Sequence, residues 1–175
     1  MNDRARWNAR YASENAPRRV HANLARLAPL LQTGRILDLA GGIGQNALWL
    51  TQQSSAARGI VADISDEALR QASPQIARVL CDAAALPFAP HSFDTILCTR
   101  FFDARVRFDE LLTRGGTVFF ETFTTADAKY NPAFNPAHRL DLARIPQIFT
   151  GLEILYLHET DDGRHVYVTL VARRR

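Results

Sequence analysis

Asp38, Asp63 and Asp82, together with the glycines Gly41, Gly42 and Gly44, are the residues whose types and spacing could do chemistry together. Asp38 lies in the apolar run Ile36-Leu37-Asp38-Leu39, and the glycines follow at once. Glycines there let the backbone turn sharply and let a ligand come close to the main chain. A helix starting after them offers unpaired N–H groups and the positive end of its dipole. Gly42-Ile43-Gly44-Gln45-Asn46-Ala47 fits the dinucleotide pattern G-x-G-x-x-A. A carboxylate just before that turn, however, repels a pyrophosphate and suits a cationic amino group. Asp63 closes the run Gly59-Ile60-Val61-Ala62, where an acid can hold ribose hydroxyls or cap the next helix. Asp82, in Cys81-Asp82-Ala83-Ala84, can accept a hydrogen bond from an adenine amino group.

Such acids act together only if strands deliver them to one edge. Apolar spacing predicts a helix over 22–31, a strand over 36–39, a helix over 43–52 and a strand over 59–62. A helix over 65–71 follows, with Ser65 as its N-cap. Residues 77–80, 95–98 and 117–123 read as further strands. Strands alternating with helices imply parallel βαβ units, and ligands of such sheets bind at the carboxyl ends of the strands. The end of the chain differs. Residues 152–158 and 165–171 are strand-like and are separated by a turn containing Asp161-Asp162-Gly163, which predicts a hairpin. A helix over 141–149 must be short, kinked or late in starting because of Pro146.

Composition excludes several classes of function. The chain has 175 residues, the size of one domain, and no apolar run long enough to span a bilayer. Its N-terminus carries no apolar signal region, so the expected location is the cytoplasm. Cys81 and Cys98 are the only cysteines, which excludes a disulfide framework; both read as small buried hydrophobes. The histidines lack metal-ligand spacing, and no metal is expected. The net charge of +3 is almost wholly arginine, since Lys129 is the only lysine. The basic N-terminal segment, with Arg18 and Arg19 among its arginines, reads as a solvated helical surface, and Arg173-Arg174-Arg175 as a frayed tail. That reading disfavours a nucleic-acid partner.

With these residues in view, the sequence resembles the class I S-adenosylmethionine-dependent methyltransferases. Ile36-Leu37-Asp38-Leu39-Ala40-Gly41-Gly42-Ile43-Gly44 is similar to the first motif and Val61-Ala62-Asp63-Ile64-Ser65 to the second. Asp82-Ala83-Ala84-Ala85-Leu86-Pro87-Phe88, with Ser92-Phe93-Asp94, is similar to the third and fourth, and Leu111-Leu112-Thr113-Arg114-Gly115-Gly116-Thr117 to the turn before the fifth strand. Trp7-Asn8-Ala9-Arg10-Tyr11 and Glu121-Thr122-Phe123-Thr124 resemble the tellurite-resistance and thiopurine-like branch. The chain departs from that branch in having Ala40 and Gly41 in the first motif and in lacking a His-Arg-Pro run between the fourth and fifth strands.

The fold so implied is α/β, a Rossmann-like doubly wound seven-stranded mostly parallel sheet with a C-terminal antiparallel hairpin. It forms a single methyltransferase domain, 1–175, with an N-terminal helical segment (1–33), a cofactor-binding core (34–123) and a lid segment with the hairpin (124–175). The cofactor implied is S-adenosyl-L-methionine, with S-adenosyl-L-homocysteine as product. Its expected contacts are Asp38, Ala40, Gly41, Gly42, Gly44, Asn46, Asp63, Ile64, Asp82, Ala83 and Cys98. The function implied is methyl transfer to a small-molecule acceptor; a non-catalytic cofactor-binding partner or regulatory protein is the alternative. The catalytic residues stay unassigned, with Arg100, Tyr130, His138 and Arg139 as candidates and Glu121 beside them. His138 is the residue suited to base work near neutral pH. The segment 124–139 is too long for a plain connection and is expected to cover the acceptor pocket.

Overall fold

The computed structural model describes residues 2–13 and 19–175, so Glu14 and Arg18 of the basic N-terminal segment lie outside the described residues. One seven-stranded sheet organises the chain, in the order β3-β2-β1-β4-β5-β7-β6. The strands are β1 (Arg35–Leu39), β2 (Arg58–Asp63), β3 (Ala77–Leu80), β4 (Phe93–Thr99), β5 (Leu112–Phe123), β6 (Leu152–Asp161) and β7 (Val166–Arg174). The first five are parallel, and β7 and β6 run antiparallel beside β5. Ile36–Leu39 is wholly buried, as expected of a central parallel strand covered on both faces. The chain winds from β1 out to β3 and returns to lay β4 on the other side of β1. That reversal opens a crevice at the carboxyl ends of β1 and β4, where ligands of such sheets bind.

Helices α1 (Asp3–Ser13), α2 (Ala22–Leu27), α3 (Gln45–Gln52), α4 (Asp66–Gln71), α5 (Phe108–Leu111) and α6 (Ile145–Ile148) complete the frame. One apolar cluster holds Leu24, Leu27, Ile36 and Leu50. The other is built on Phe120, whose ring meets Phe108 at 5.9 Å and Phe149 at 5.2 Å, both edge-on. Edge-to-face contacts of this kind add to plain area burial.

Local sequence explains where the elements differ from expectation. The helix over 22–31 ends at Leu27 and gives way to the tighter turn Ala28–Leu30, which has Pro29 in it. Helix α3 starts at Gln45 because Gly44 stands in the left-handed region, at φ +70°. Ser65 caps α4, its hydroxyl accepting a hydrogen bond from Ala68 N–H at 3.1 Å. The helix over 141–149 divides into the turn Leu142–Arg144 and α6, with Pro146 in the first turn, where a missing N–H costs nothing. His165 precedes β7 rather than opening it, because its N–H is tied to Asp162 in the hairpin turn at 2.7 Å. Arg173 and Arg174 are not a frayed tail. They continue the β7 ladder against β6, Arg173 pairs with Glu153 at 2.9 Å, and Arg174 donates to the Leu112 carbonyl.

Candidate active site

The turn between β1 and α3 is built from Asp38 upward. Asp38 is fully buried, and its Oδ2 accepts from Ala47 N–H at 3.1 Å, which fixes the start of α3 to the end of β1. Its Oδ1 is buried without a hydrogen-bonding partner. Burial pushes the carboxyl up to about 8, only partly opposed by the Ala47 bond, and the Asp63 charge adds to the rise. Gly41 passes directly over this acid: a Cβ there would fall 2.7 Å from Asp38 Oδ1. Gly42, at φ +58°, lies under the Tyr11 hydroxyl, which a Cβ would meet at 2.1 Å. Glycine is therefore needed at both positions for space, and at Gly42 for conformation too.

Asp63, at the end of β2, is also buried but is well supplied with donors. Its Oδ2 accepts from Gly42 N–H and its Oδ1 from Ser65 N–H, each at 2.8 Å. Burial raises its pKa, and these two bonds with that of Ile64 act against the rise. The helix cap is Ser65, so Asp63 joins the glycine turn to the α4 turn without itself capping the helix. Each carboxylate oxygen keeps a lone pair for a further donor. Asp82, beyond β3, is exposed and closes its own turn by accepting from Ala84 N–H at 2.8 Å.

A cavity of about 410 Å³ joins Asp63 and Asp82 to the end of β4 and the loop that follows it. On one side it is lined by Ala40, Gly41, Asp63, Ile64, Asp82 and Ala83, and on the other by Thr99, Arg100, Phe101, Asp103, Arg105 and His138. Two wall residues, Ala40 (φ +52°) and Arg100 (φ +58°), hold left-handed conformations that side chains rarely adopt. Arg100 N–H donates to the Glu121 carbonyl at 2.7 Å. The buried Glu121 side chain lies 2.9 Å from His21 Nε2 and 3.4 Å from Arg100 Nε, and accepts from Asn23 and Thr169. Burial alone would raise its pKa, but His21 and the Asn23 and Thr169 donors bring the balance below the ordinary carboxylate value.

The cavity is roofed by α1. Asp3, Trp7, Arg10 and Tyr11 line it, and Asn8 anchors the helix by donating to Asp66 at 2.7 Å and accepting from the Ser65 hydroxyl at 2.7 Å. Only the family likeness of their segment pointed to these residues, because the partners that anchor the helix through Asn8 lie more than fifty positions away.

Of the expected cofactor contacts, Ala40, Gly41, Asp63, Ile64, Asp82 and Ala83 face the cavity. Asp38, Gly42, Gly44, Asn46 and Cys98 are buried behind its wall. Asn46 spends its side chain on His21 N–H and Thr99. Cys98 is buried, which pushes its thiol well above the ordinary value, whereas Cys81 is only half-buried and borders the cavity, so it is not a core residue. Of the catalytic candidates, Arg100 and His138 reach the wall. Tyr130 instead donates to Asp161 at 3.0 Å, and Arg139 binds the Asn131 carbonyl under the Phe134 ring. Among the described residues no group of three histidines, cysteines or acids is placed to hold a metal.

This arrangement fits S-adenosylmethionine: a glycine turn over an acid with one unpartnered oxygen, and two further acids flanking an apolar strip. The comparisons with known proteins agree. A model of the methyltransferase-domain family matches residues 36–114. Malonyl-acyl-carrier-protein O-methyltransferase of Herminiimonas arsenicoxydans is 32% identical over 113 residues, covering 61% of this chain; the chain spans 44% of that protein. Among solved structures, one described as converting a disulfide bond into a thioacetal group during echinomycin biosynthesis matches 99% of this chain and 93% of its own, at TM-score 0.74 and 17% identity. An S-adenosylmethionine-dependent methyltransferase of Mesorhizobium loti matches 88% of this chain and 98% of its own, at TM-score 0.72 and 19% identity. The family likeness thus falls on residues 36–114, the stretch that runs from β1 through the glycine turn to the start of β5, and the solved structures share the fold around it.

Proposed function

We propose that the chain, as one methyltransferase domain, transfers a methyl group from S-adenosylmethionine to a small-molecule acceptor in the cytoplasm. The observation that carries this reading is the shape of the cavity, which joins the acids at the ends of β2 and β3 to a second half, with Arg100, Arg105 and His138, beyond β4. Asp63 holds the ribose hydroxyls, Asp82 with Ile64 and Ala83 takes the adenine, and the turn at Ala40 and Gly41 takes the methionine end. Asp38 acts through the Gly41 backbone, since its side chain stays behind the wall. When bound, the cofactor supplies an electrophilic methyl on a sulfonium. The protein's own task is then positioning and exclusion of water. Trp7 and Tyr11 shield the crevice, while Thr99, Phe101 and His138 bound the acceptor. His138 can take the proton released by an oxygen or amine acceptor; a thiolate or enolate releases none.

The tellurite-resistance and thiopurine-like branch is the finer assignment we favour, on the strength of the Trp7–Tyr11 segment lying over the cavity. The Herminiimonas relative is named for methylation at oxygen, so small thiols and carboxylates both belong in the acceptor screen. The test is calorimetric binding of S-adenosylhomocysteine, followed by transfer of label from methyl-tritiated S-adenosylmethionine to such acceptors. Absence of binding would sink the proposal. Label found in nucleic acid would remove the small-molecule acceptor, and binding without transfer to any acceptor would favour the non-catalytic alternative.

A further inference from the structure

The acceptor half of the cavity contains several cations, and they are not equivalent. Arg105 is spent on Asp103, which it contacts through both Nε and Nη2, at 2.9 and 2.6 Å. Arg10 stacks over Trp7 at 5.3 Å, on the roof. Arg100 is held differently. Its guanidinium lies between the rings of Phe123 and Tyr167, 5.0 Å from each centroid, and its Nε is backed by Glu121 Oε1 at 3.4 Å. No hydrogen bond leaves Nη1 or Nη2 to any described residue, and the side chain is 41% exposed. Rings on both sides, an acid behind and a pinned left-handed backbone leave only the outer edge of the fork to meet a ligand. Backbone strain of this kind persists where the surroundings over-determine it, commonly at binding sites.

We propose that Arg100 anchors the methyl acceptor and that the acceptor carries a carboxylate, received by the two terminal nitrogens of the fork. This rests on the reading that the β4–β5 half of the cavity takes the acceptor. Glu121 is a positioning residue: its charge is shared among His21, Asn23, Thr169 and Arg100, which aligns the guanidinium without neutralising its outer edge. A fork held in one plane matches a planar carboxylate in two parallel hydrogen bonds, which a lysine in its place would not reproduce. Asp162 in the hairpin turn, outside the cavity wall, is held lower in part by the Arg100 charge.

The test reads Arg100 directly. The protein, with and without S-adenosylhomocysteine, is treated with phenylglyoxal, and modification of each arginine is followed by peptide mass mapping. Probes are propanoate, glutarate, phenylacetate and benzoate, each set against its primary amide, with inorganic phosphate as a further arm. Carboxylates are expected to slow modification of Arg100 about tenfold at saturation, while amides leave it unchanged. Equal protection by amides, protection by phosphate alone, or no protection by any carboxylate would overturn the proposal. Arg100→Lys and Arg100→Met should each lower carboxylate affinity about tenfold while S-adenosylhomocysteine affinity and the melting temperature hold. If either variant fails to fold, the wild-type protection data decide alone. If wild-type protein fails to bind S-adenosylhomocysteine, the methyltransferase reading fails, and the cofactor-free arm still judges Arg100.

Discussion

Asp38 and Asp63 occupy adjacent strands and meet burial in different ways. Asp63 accepts from the Gly42 and Ser65 N–H groups and faces the cavity, so under the proposed function its removal costs ligand contacts as well as a tie between two turns. Asp63→Ala should weaken S-adenosylhomocysteine binding by about 1.5–3 kcal/mol, the scale of hydrogen bonds to a charged group, as read by calorimetry. Unchanged affinity would remove Asp63 from the cofactor site. Asp38 has one donor and one unpartnered oxygen, and folding holds its proton up to about pH 8 against an ordinary value of 3.8. Between those values the folded protein keeps a proton that the unfolded chain has lost. Its stability contribution is therefore complete below about pH 4 and is lost as pH rises toward 8, with a slope near 1.4 kcal/mol per pH unit. Urea unfolding at a series of pH values should show this slope in the wild type and its loss in Asp38→Asn. A variant with the same slope would show that other groups set the pH dependence.

At the scale of elements, the segment 124–139 is more firmly anchored than its length suggests. Asp127 is buried and accepts from Val166 N–H at 2.9 Å and from the Asn131 amide, which stitches the segment to the start of β7. Phe134 packs on Phe123 at 5.6 Å, so among the residues of this segment only His138 reaches the cavity wall. Asp127→Ala leaves a buried N–H without its partner, a loss of about 1–3 kcal/mol. It should lower the melting temperature and raise hydrogen exchange across 124–139; unaltered exchange there would show that the aromatic packing holds the segment without Asp127. The same contrast marks how far the sequence could be read. The strand, glycine turn and helix at 36–52, the Ser65 cap and the hairpin turn were legible because each depends on residues close along the chain. The roof formed by α1, the Glu121 cluster and the Asp127 stitch were not. Each joins residues far apart in sequence through polar side chains that carry no periodicity, such as Asn23 with Thr169 and Asn8 with Asp66.

Across the whole molecule, the sheet has a direction. The parallel strands β1 to β4 bring their carboxyl ends to the cavity, while β7 runs the other way and carries Arg173 and Arg174 to the opposite edge, where they share a second depression with Asp94 and Arg114. The parallel array explains why acids distant in sequence converge on one crevice, and why the arginine-rich end of β7 lies apart from it. Helix α1 begins with Asp3 on the rim of the cavity. This antipodal layout bears on how the protein can be handled. A purification tag or fluorescent fusion joined after Arg175 emerges far from the crevice, whereas one joined ahead of Asp3 hangs over its mouth. C-terminally fused protein should match the untagged protein in S-adenosylhomocysteine affinity, and a bulky N-terminal fusion should bind more weakly until cleaved. Equal affinities for the two fusions would mean that the first turn of α1 is no part of the entrance through which ligands pass.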